Sequence, residues 1–264
     1  MKKLVSLILM TALLLCCFAS CGGTAASGDL EKVKANGKLV VGVTIYEPMD
    51  YIDSETGEWT GFDAELAKMF AESLGINCQL VIIDWNNKVA ELNANQIDLI
   101  WNGMTASDEL GKQIDFSVSY SKNAQVAVAK KGSGITKDTV ATSTIAVENG
   151  SAGETVARET LGATKITEKS DGQVGALAEI LAGTSQVAII DITMAQNVIG
   201  KGAYADLEIV DGASYGDEIF AVGLRKGSNL KAELDAFLKA KYADGTLTAL
   251  AEKYNVALNI EALK

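Results

Sequence analysis

The sequence predicts an α/β fold arranged as two lobes, each with its own sheet. Apolar β-branched runs alternate with segments of helical periodicity, the pattern of strands joined through helices. Two complete series of this kind follow one another, and the chain returns to helix-rich sequence at its end. Its 264 residues fit one large domain or two lobes of ordinary size, and the two series favour the second. No Pro/Ser-rich linker parts the halves, so the lobes are expected to be joined by crossing strands rather than a floppy tether.

Residues 39–45 are a continuous apolar run and predict a buried strand, while 54–58, with Gly57, predict a turn. From Asp63 the residues Leu66, Ala67, Phe70, Ala71 and Leu74 recur at helical spacing. Asp63 and Glu65 occupy the first turn, where the helix dipole favours acids, and Gly75 follows the end. A strand at 78–83, a short helix at 86–93 with Val89 and Leu92 on one face, and a strand at 97–101 complete the first lobe. A strand at 125–129 leaves it. The second lobe holds strands at 144–147 and 187–190 and helices at 154–161 and 172–182. Residues 218–224 are again strand-like, and amphipathic helices at 230–244 and 247–254 flank Gly245. Mainly parallel sheets are expected, with lobe 1 at 29–123 and 222–264 and lobe 2 at 124–221.

Composition narrows the chemistry. With 48% hydrophobic residues and a single Pro, the chain is neither disordered nor collagenous nor a multi-pass membrane protein. Its 23 Lys+Arg against 34 Asp+Glu give a formal charge of -11, which repels nucleic acid. The absence of His removes the usual general base, the Ser-His and Cys-His nucleophile pairs and the commonest zinc ligand. There is no Walker loop, CxxC pair, GxSxG or metal-spaced acid cluster, so no metal, cofactor or catalytic residue is expected.

The N-terminus reads as an address. Lys2 and Lys3 precede an uncharged apolar run at 4–19, too short to span a bilayer, and the small residues Ala19 and Ser20 stand before Cys21. This resembles a bacterial lipobox, which implies a signal peptide at 1–21, an acylated Cys21 and a flexible tether at 22–28. Cys16, Cys17 and Cys21 all fall in the leader, which leaves Cys78 alone in the mature body and permits no intrachain disulfide there. An extracytoplasmic protein held to the membrane by lipid is the expectation.

Four places suit a small zwitterion, whose ammonium wants carboxylates and oxygens and whose carboxylate wants N–H groups or a cation. The strand at 187–190 ends in Asp191, at the sheet edge where ligands of open α/β sheets bind; the same residue could instead cap a helix starting near Thr193. Ser151 and Glu154 fit a capping box after a strand, so Ser151 and the Ala152 N–H lie at a helix start, although most capping boxes bind nothing. Asn102, Gly103 and Thr105 sit in a polar loop after the strand at 97–101. Tyr46 and Trp85 follow strand ends and could cover an apolar stem, or equally belong to the core.

In this order along the chain, five stretches resemble a known family, the extracytoplasmic solute-binding proteins of polar amino-acid ABC transporters. They are Tyr46-Glu47-Pro48; Gly61-Phe62-Asp63-Ala64-Glu65-Leu66-Ala67; the loop from Ile97 to Thr105 with Ile114-Asp115-Phe116-Ser117; Asn149-Gly150-Ser151; and Gly183 through Asp191. The resemblance implies a two-lobed periplasmic-binding-protein-like type II fold with two crossover strands as hinge, holding an amino acid in the cleft. Tyr46 and Trp85 would flank its side chain. The Gly103 carbonyl, the Thr105 hydroxyl and Asp191 would hold its ammonium, and Ser151 with the Ala152 N–H would meet its carboxylate; Asn102 adds polarity. The partner would be an ABC permease and the receptor a monomer. One departure matters: Leu110 stands where the family has an Arg that forks onto the ligand carboxylate, and an apolar side chain cannot replace a guanidinium. Lys112 or Arg158 could substitute, N–H groups could bear the carboxylate alone, or the ligand could be other than an α-amino acid. Two other functions fit the same architecture: a ligand-sensing module for a membrane signalling partner, and an enzyme resembling cyclohexadienyl dehydratase.

Overall fold

In the computed structural model, residues 28–169 and 171–264 are described. The expected signal at 1–21, the acylation site Cys21 and the tether at 22–28 apart from Gly28 lie outside the described residues. Cys78 is the one free cysteine among those described.

The chain opens with α1 (Asp29–Asn36), stopped by Gly37, whose left-handed φ of 66° lets its amide bond back to the last turn. The buried strand β1 (Lys38–Val43) follows. A small hairpin, β2 (Tyr51–Ile52) and β3 (Trp59–Thr60), brackets the expected turn and delivers the chain to α2 (Phe62–Ser73). Next come β4 (Asn77–Ile82) and a 3-10 turn at Trp85–Asn87 capped by the Asp84 side chain, which runs into α3 (Lys88–Asn93). The first lobe continues through β5 (Leu99–Ile100), α4 (Asp108–Gly111) and β6 (Asp115–Phe116).

The long strand β7 (Ser121–Lys130) then enters the second sheet. There the order is β8 (Ile145–Glu148), α5 (Ala152–Thr155) prolonged by a π turn at Val156–Thr160, β9 (Ile166–Lys169), α6 (Gln173–Ala182), β10 (Val187–Asp191) and α7 (Ile192–Val198). β11 (Leu207–Phe220) runs back beside β7, and β12 (Gly223–Leu224) rejoins the first sheet. Helices α8 (Leu230–Ala243), α9 (Thr246–Tyr254) and α10 (Ile260–Leu263) close the chain.

The first sheet has the order β4-β1-β5-β12-β6 and the second β11-β7-β10-β8-β9. The expectation of mainly parallel sheets is corrected. In the first sheet β1 pairs in parallel with β4 and β5, whereas both pairings of β12 are antiparallel. In the second, β8 pairs in parallel with β9 and β10, whereas β7 is antiparallel to β10 and β11. The antiparallel members are the strands that carry the chain between sheets. For the same reason the expected strand at 218–224 is two strands. β11 ends at Phe220, the Ala221 amide donates to the Met104 carbonyl, and the chain changes sheet before β12.

Burial follows the apolar pattern. Phe70, Trp101, Tyr120 and Phe237 cluster beneath the first sheet, with the Phe70 and Phe237 ring centres 5.3 Å apart. Ala127, Ile145, Val147, Val187 and Ile189 fill one face of the second. No helix among the described residues is long and apolar enough to cross a membrane.

Candidate ligand-binding site

Five chain segments reach the cleft from the carboxyl ends of strands paired in parallel, the edge at which open α/β sheets bind ligands, and Gln125 and Glu218 reach it from the crossing strands β7 and β11. Tyr46 follows β1, Trp85 follows β4, residues 102–105 follow β5, Glu148 ends β8 and Asp191 ends β10. Between them lies a cavity of about 500 Å³. All eight residues expected at a ligand, namely Tyr46, Trp85, Asn102, Gly103, Thr105, Ser151, Ala152 and Asp191, line this one cavity.

Their chemistry differs in detail from the expectation. Asp191 stands at the start of α7 but makes no capping bond there. Its Oδ1 instead accepts from Asn123 Nδ2 and Gln125 Nε2, each at 2.6 Å, and its Oδ2 accepts from Gln173 Nε2. The same two amides donate to Glu218 Oε2, at 2.8 and 2.9 Å, and the Thr105 hydroxyl donates to that oxygen at 3.0 Å. Two carboxylates are thus braced side by side. Burial, reinforced by the Glu218 charge, pushes the Asp191 carboxyl up to about 6 against the pull of these donors.

Asn102 is a brace. Its Oδ1 accepts from the Thr44 amide and hydroxyl, and its Nδ2 donates to the Thr44 carbonyl and to Asp50 Oδ2. All four of its hydrogen-bonding positions are therefore spent inside the first lobe, and what it offers the cavity is a fixed loop. Gly103 turns that loop at φ 56°, its amide held by Asp63 Oδ2 at 2.6 Å. The Ser151 hydroxyl accepts from the Glu154 amide at 3.1 Å, which is half of the expected capping box; Glu154 Oε2 accepts from the Gly150 amide at 2.7 Å instead of the Ser151 amide, which donates to the Glu148 carbonyl. Tyr46 and Trp85 are both buried and both face the cavity, which makes them wall and core together.

Neither expected substitute for the missing guanidinium reaches the site. Lys112 is exposed and pairs with Glu109, and Arg158 pairs with Glu154 and Glu168. Leu110 does line the cavity, as an apolar wall. Among the polar lining residues that the sequence did not single out are Lys88, Gln125, Glu148, Gln173 and Glu218. For Gln125 and Glu218 a signal existed, since each is a polar residue inside a strand-like run. Lys88 and Gln173 sit in helical patterns where a polar residue reads as solvated. Glu148 is 3% exposed with no partner at Oε1, and burial followed by the Asp191 charge pushes its carboxyl up to about 8. No group of three or more His, Cys, Asp or Glu able to hold a metal occurs among the described residues.

The family model of the bacterial extracellular solute-binding proteins, family 3, matches residues 39–257. The L-cystine-binding protein TcyJ of Escherichia coli (strain K12) is 31% identical over 242 residues, covering 87% of each chain. A substrate-binding protein of an ABC uptake transporter from Streptococcus pneumoniae, solved with bound histidine, superposes with a TM-score of 0.79 at 30% identity, covering 87% of this chain and 97% of that one. An ancestral amino-acid-binding protein, AncCDT-1, a precursor of cyclohexadienyl dehydratase, superposes with a TM-score of 0.77 at 28% identity, covering 85% and 98%. Fold, cleft and family model agree with the resemblance carried by the five sequence stretches: the chain belongs to the bacterial extracellular solute-binding proteins, family 3.

Proposed function

We propose that this protein is an extracytoplasmic receptor that closes on a polar amino acid and hands it to an ABC permease. The observation that carries this reading is the paired carboxylates of Asp191 and Glu218, braced by Asn123 and Gln125 and joined through Glu218 to the Thr105 hydroxyl of the opposite lobe. Such a cluster suits an ammonium group that both lobes must grip at once. Contacts drawn from two lobes exist only when the lobes meet, so the ligand shifts the population toward the closed form. In this reading lobe 1 comprises 29–123 and 222–264 and lobe 2 comprises 124–221, with β7 and β11 as the hinge. Tyr46 and Trp85 flank the ligand side chain, the Gly103 carbonyl and Thr105 with Asp191 take the ammonium, and Ser151 with the Ala152 amide takes the carboxylate. Acylated Cys21 and the tether at 22–28 would hold a monomer at the membrane.

A thermal-shift titration with the common amino acids tests the reading. At least one raises the melting temperature at millimolar concentration, and Asp191→Ala abolishes that rise. No rise with any of them removes the reading.

A second reading, a cyclohexadienyl dehydratase-like enzyme, draws on Glu148, whose carboxyl stays largely protonated at neutral pH and faces the cavity as a general acid would. Incubation with prephenate or arogenate separates the two, and no product is expected. A sensing role is distinguished by what copurifies from membranes: a permease, or a signalling protein.

A further inference from the structure

The cavity is lined by the carboxyl groups of Glu109, Glu148, Glu159, Asp191 and Glu218, and by a single cationic side chain, Lys88. Lys88 is 5% exposed, so its charge has left water. Its Nζ donates to the Trp85 carbonyl at 3.1 Å and, across the cleft, to the Gly150 carbonyl at 2.8 Å, and it lies 4.8 Å from the centre of the Trp85 ring. None of the ion pairs among the described residues includes Lys88.

An ammonium carries three donors, and two are satisfied here by neutral carbonyls. A desolvated cation whose direct partners are only carbonyls and a ring is costly, and an anion arriving from solution relieves that cost. The Gly150 carbonyl that Lys88 grips immediately precedes Ser151 and the Ala152 amide, so the cation sits beside the place proposed for the ligand carboxylate. Burial drives the Lys88 ammonium down to about 8 while the Glu148, Glu154 and Asp84 charges oppose the shift, so the side chain remains mostly charged at neutral pH.

We propose that Lys88 is the cation that receives the ligand carboxylate, in the role left open by Leu110, and that it selects amino acids over the corresponding amines. This rests on the receptor reading above. It also orients the ligand, with the carboxylate toward Lys88 and Ser151 and the ammonium toward Asp191 and Thr105. Because the Lys88 bond to Gly150 spans the lobes, the cation gains its second carbonyl anchor only once the cleft has shut.

The test uses the whole mature chain and three probe pairs, L-histidine with histamine, L-arginine with agmatine and L-cystine with cystamine, alongside the panel of common amino acids and the decarboxylated amine of whichever member binds tightest. Affinities are measured by calorimetry for wild type, Lys88→Gln and Lys88→Arg. Wild type is expected to prefer the amino acid to its amine. Lys88→Gln is expected to weaken the amino acid roughly 10- to 100-fold and to leave the amine within about threefold, which erases the preference. Lys88→Arg is expected to restore most of it. Removing an unpaired buried charge relieves desolvation, so Lys88→Gln is expected to melt no lower than wild type, and the melt reports folding separately from affinity. Equal losses for amino acid and amine, no loss for either, or a wild type indifferent to the carboxylate overturns the inference and leaves the receptor reading standing. A wild type that binds no amino acid overturns both.

Discussion

At the scale of single residues, the site depends on side chains that do not line the cavity. Asp63 is fully buried, and its Oδ2 accepts from both the Gly103 amide and the Tyr120 hydroxyl. Asp50 accepts from Asn102, whose other bonds fasten Thr44. These two acids, both pushed up chiefly by burial, pin the loop at 102–105 to the floor of the first lobe. Gly103 makes the turn affordable. At its φ of 56° a side chain is strained, and a Cβ there would stand 2.7 Å from Tyr46 Cε1 and 3.1 Å from the Phe220 ring. Gly103→Ala is therefore expected to cost about 1–3 kcal/mol of stability and to weaken ligand binding as well, because Tyr46 must move off the cavity wall. Denaturant midpoints and amino-acid titrations of the variant check both parts; an unchanged midpoint would show that the loop yields freely.

Among elements, the turn after β8 decides whether the lobes can meet. Gly150 has φ 73°, and a Cβ on it would fall 2.8 Å from Asn86 Cα, a backbone atom of the opposite lobe. Gly37, at φ 66°, has nothing within 4 Å of its would-be Cβ and so reports the backbone cost alone. Gly37→Ala and Gly150→Ala should each lower stability by about 1 kcal/mol, whereas only Gly150→Ala should weaken amino-acid binding, by roughly tenfold or more. Calorimetric titrations of the two variants side by side make the comparison. Equal affinities would mean that the turn does not govern closure.

The elements that sequence made legible are those whose periodicity is set by burial on a single scale. β1, β8, β10, α2 and α8 appear within a residue or two of their expected positions. β11 was legible only at its end, because its inner part alternates between exposed and buried positions irregularly, with register shifts after Ile209 and Tyr215. α1 and β9 escaped because few of their residues are buried. The expected ligand residues share one cavity because strand ends are visible in sequence. Lys88 and Glu148 were not visible, since their meaning comes from facing one cavity across chain separations that no local pattern records.

For the whole molecule, the uneven distribution of buried acids sets how stability varies with pH. Glu148 is pushed up to about 8 and Asp191 to about 6, in both cases first by burial, and Asp50 and Asp63 are raised for the same reason. A carboxyl whose folded pKa lies above its unfolded value binds its proton more tightly in the native state. Its contribution to stability is then fully present below the unfolded pKa and lost as pH climbs through the folded one. Acids held low by partners, such as Glu65 beside Lys253 and Tyr254, lose their contribution only below about pH 4.5. Lys88, lowered to about 8, acts in the opposite direction but only above that pH. Between about pH 5 and about pH 8 the raised acids therefore prevail, and the ligand-free protein is expected to melt several degrees lower at the upper end. A bound ammonium changes this, because a positive charge beside Asp191 favours its ionised form and draws its pKa down toward its unfolded value. Melting curves across that range, with and without a saturating amino acid, should then diverge as pH rises, with the liganded protein losing less of its melting temperature than the free protein. Parallel curves would mean that the cation of the ligand lies elsewhere than against the carboxylate pair.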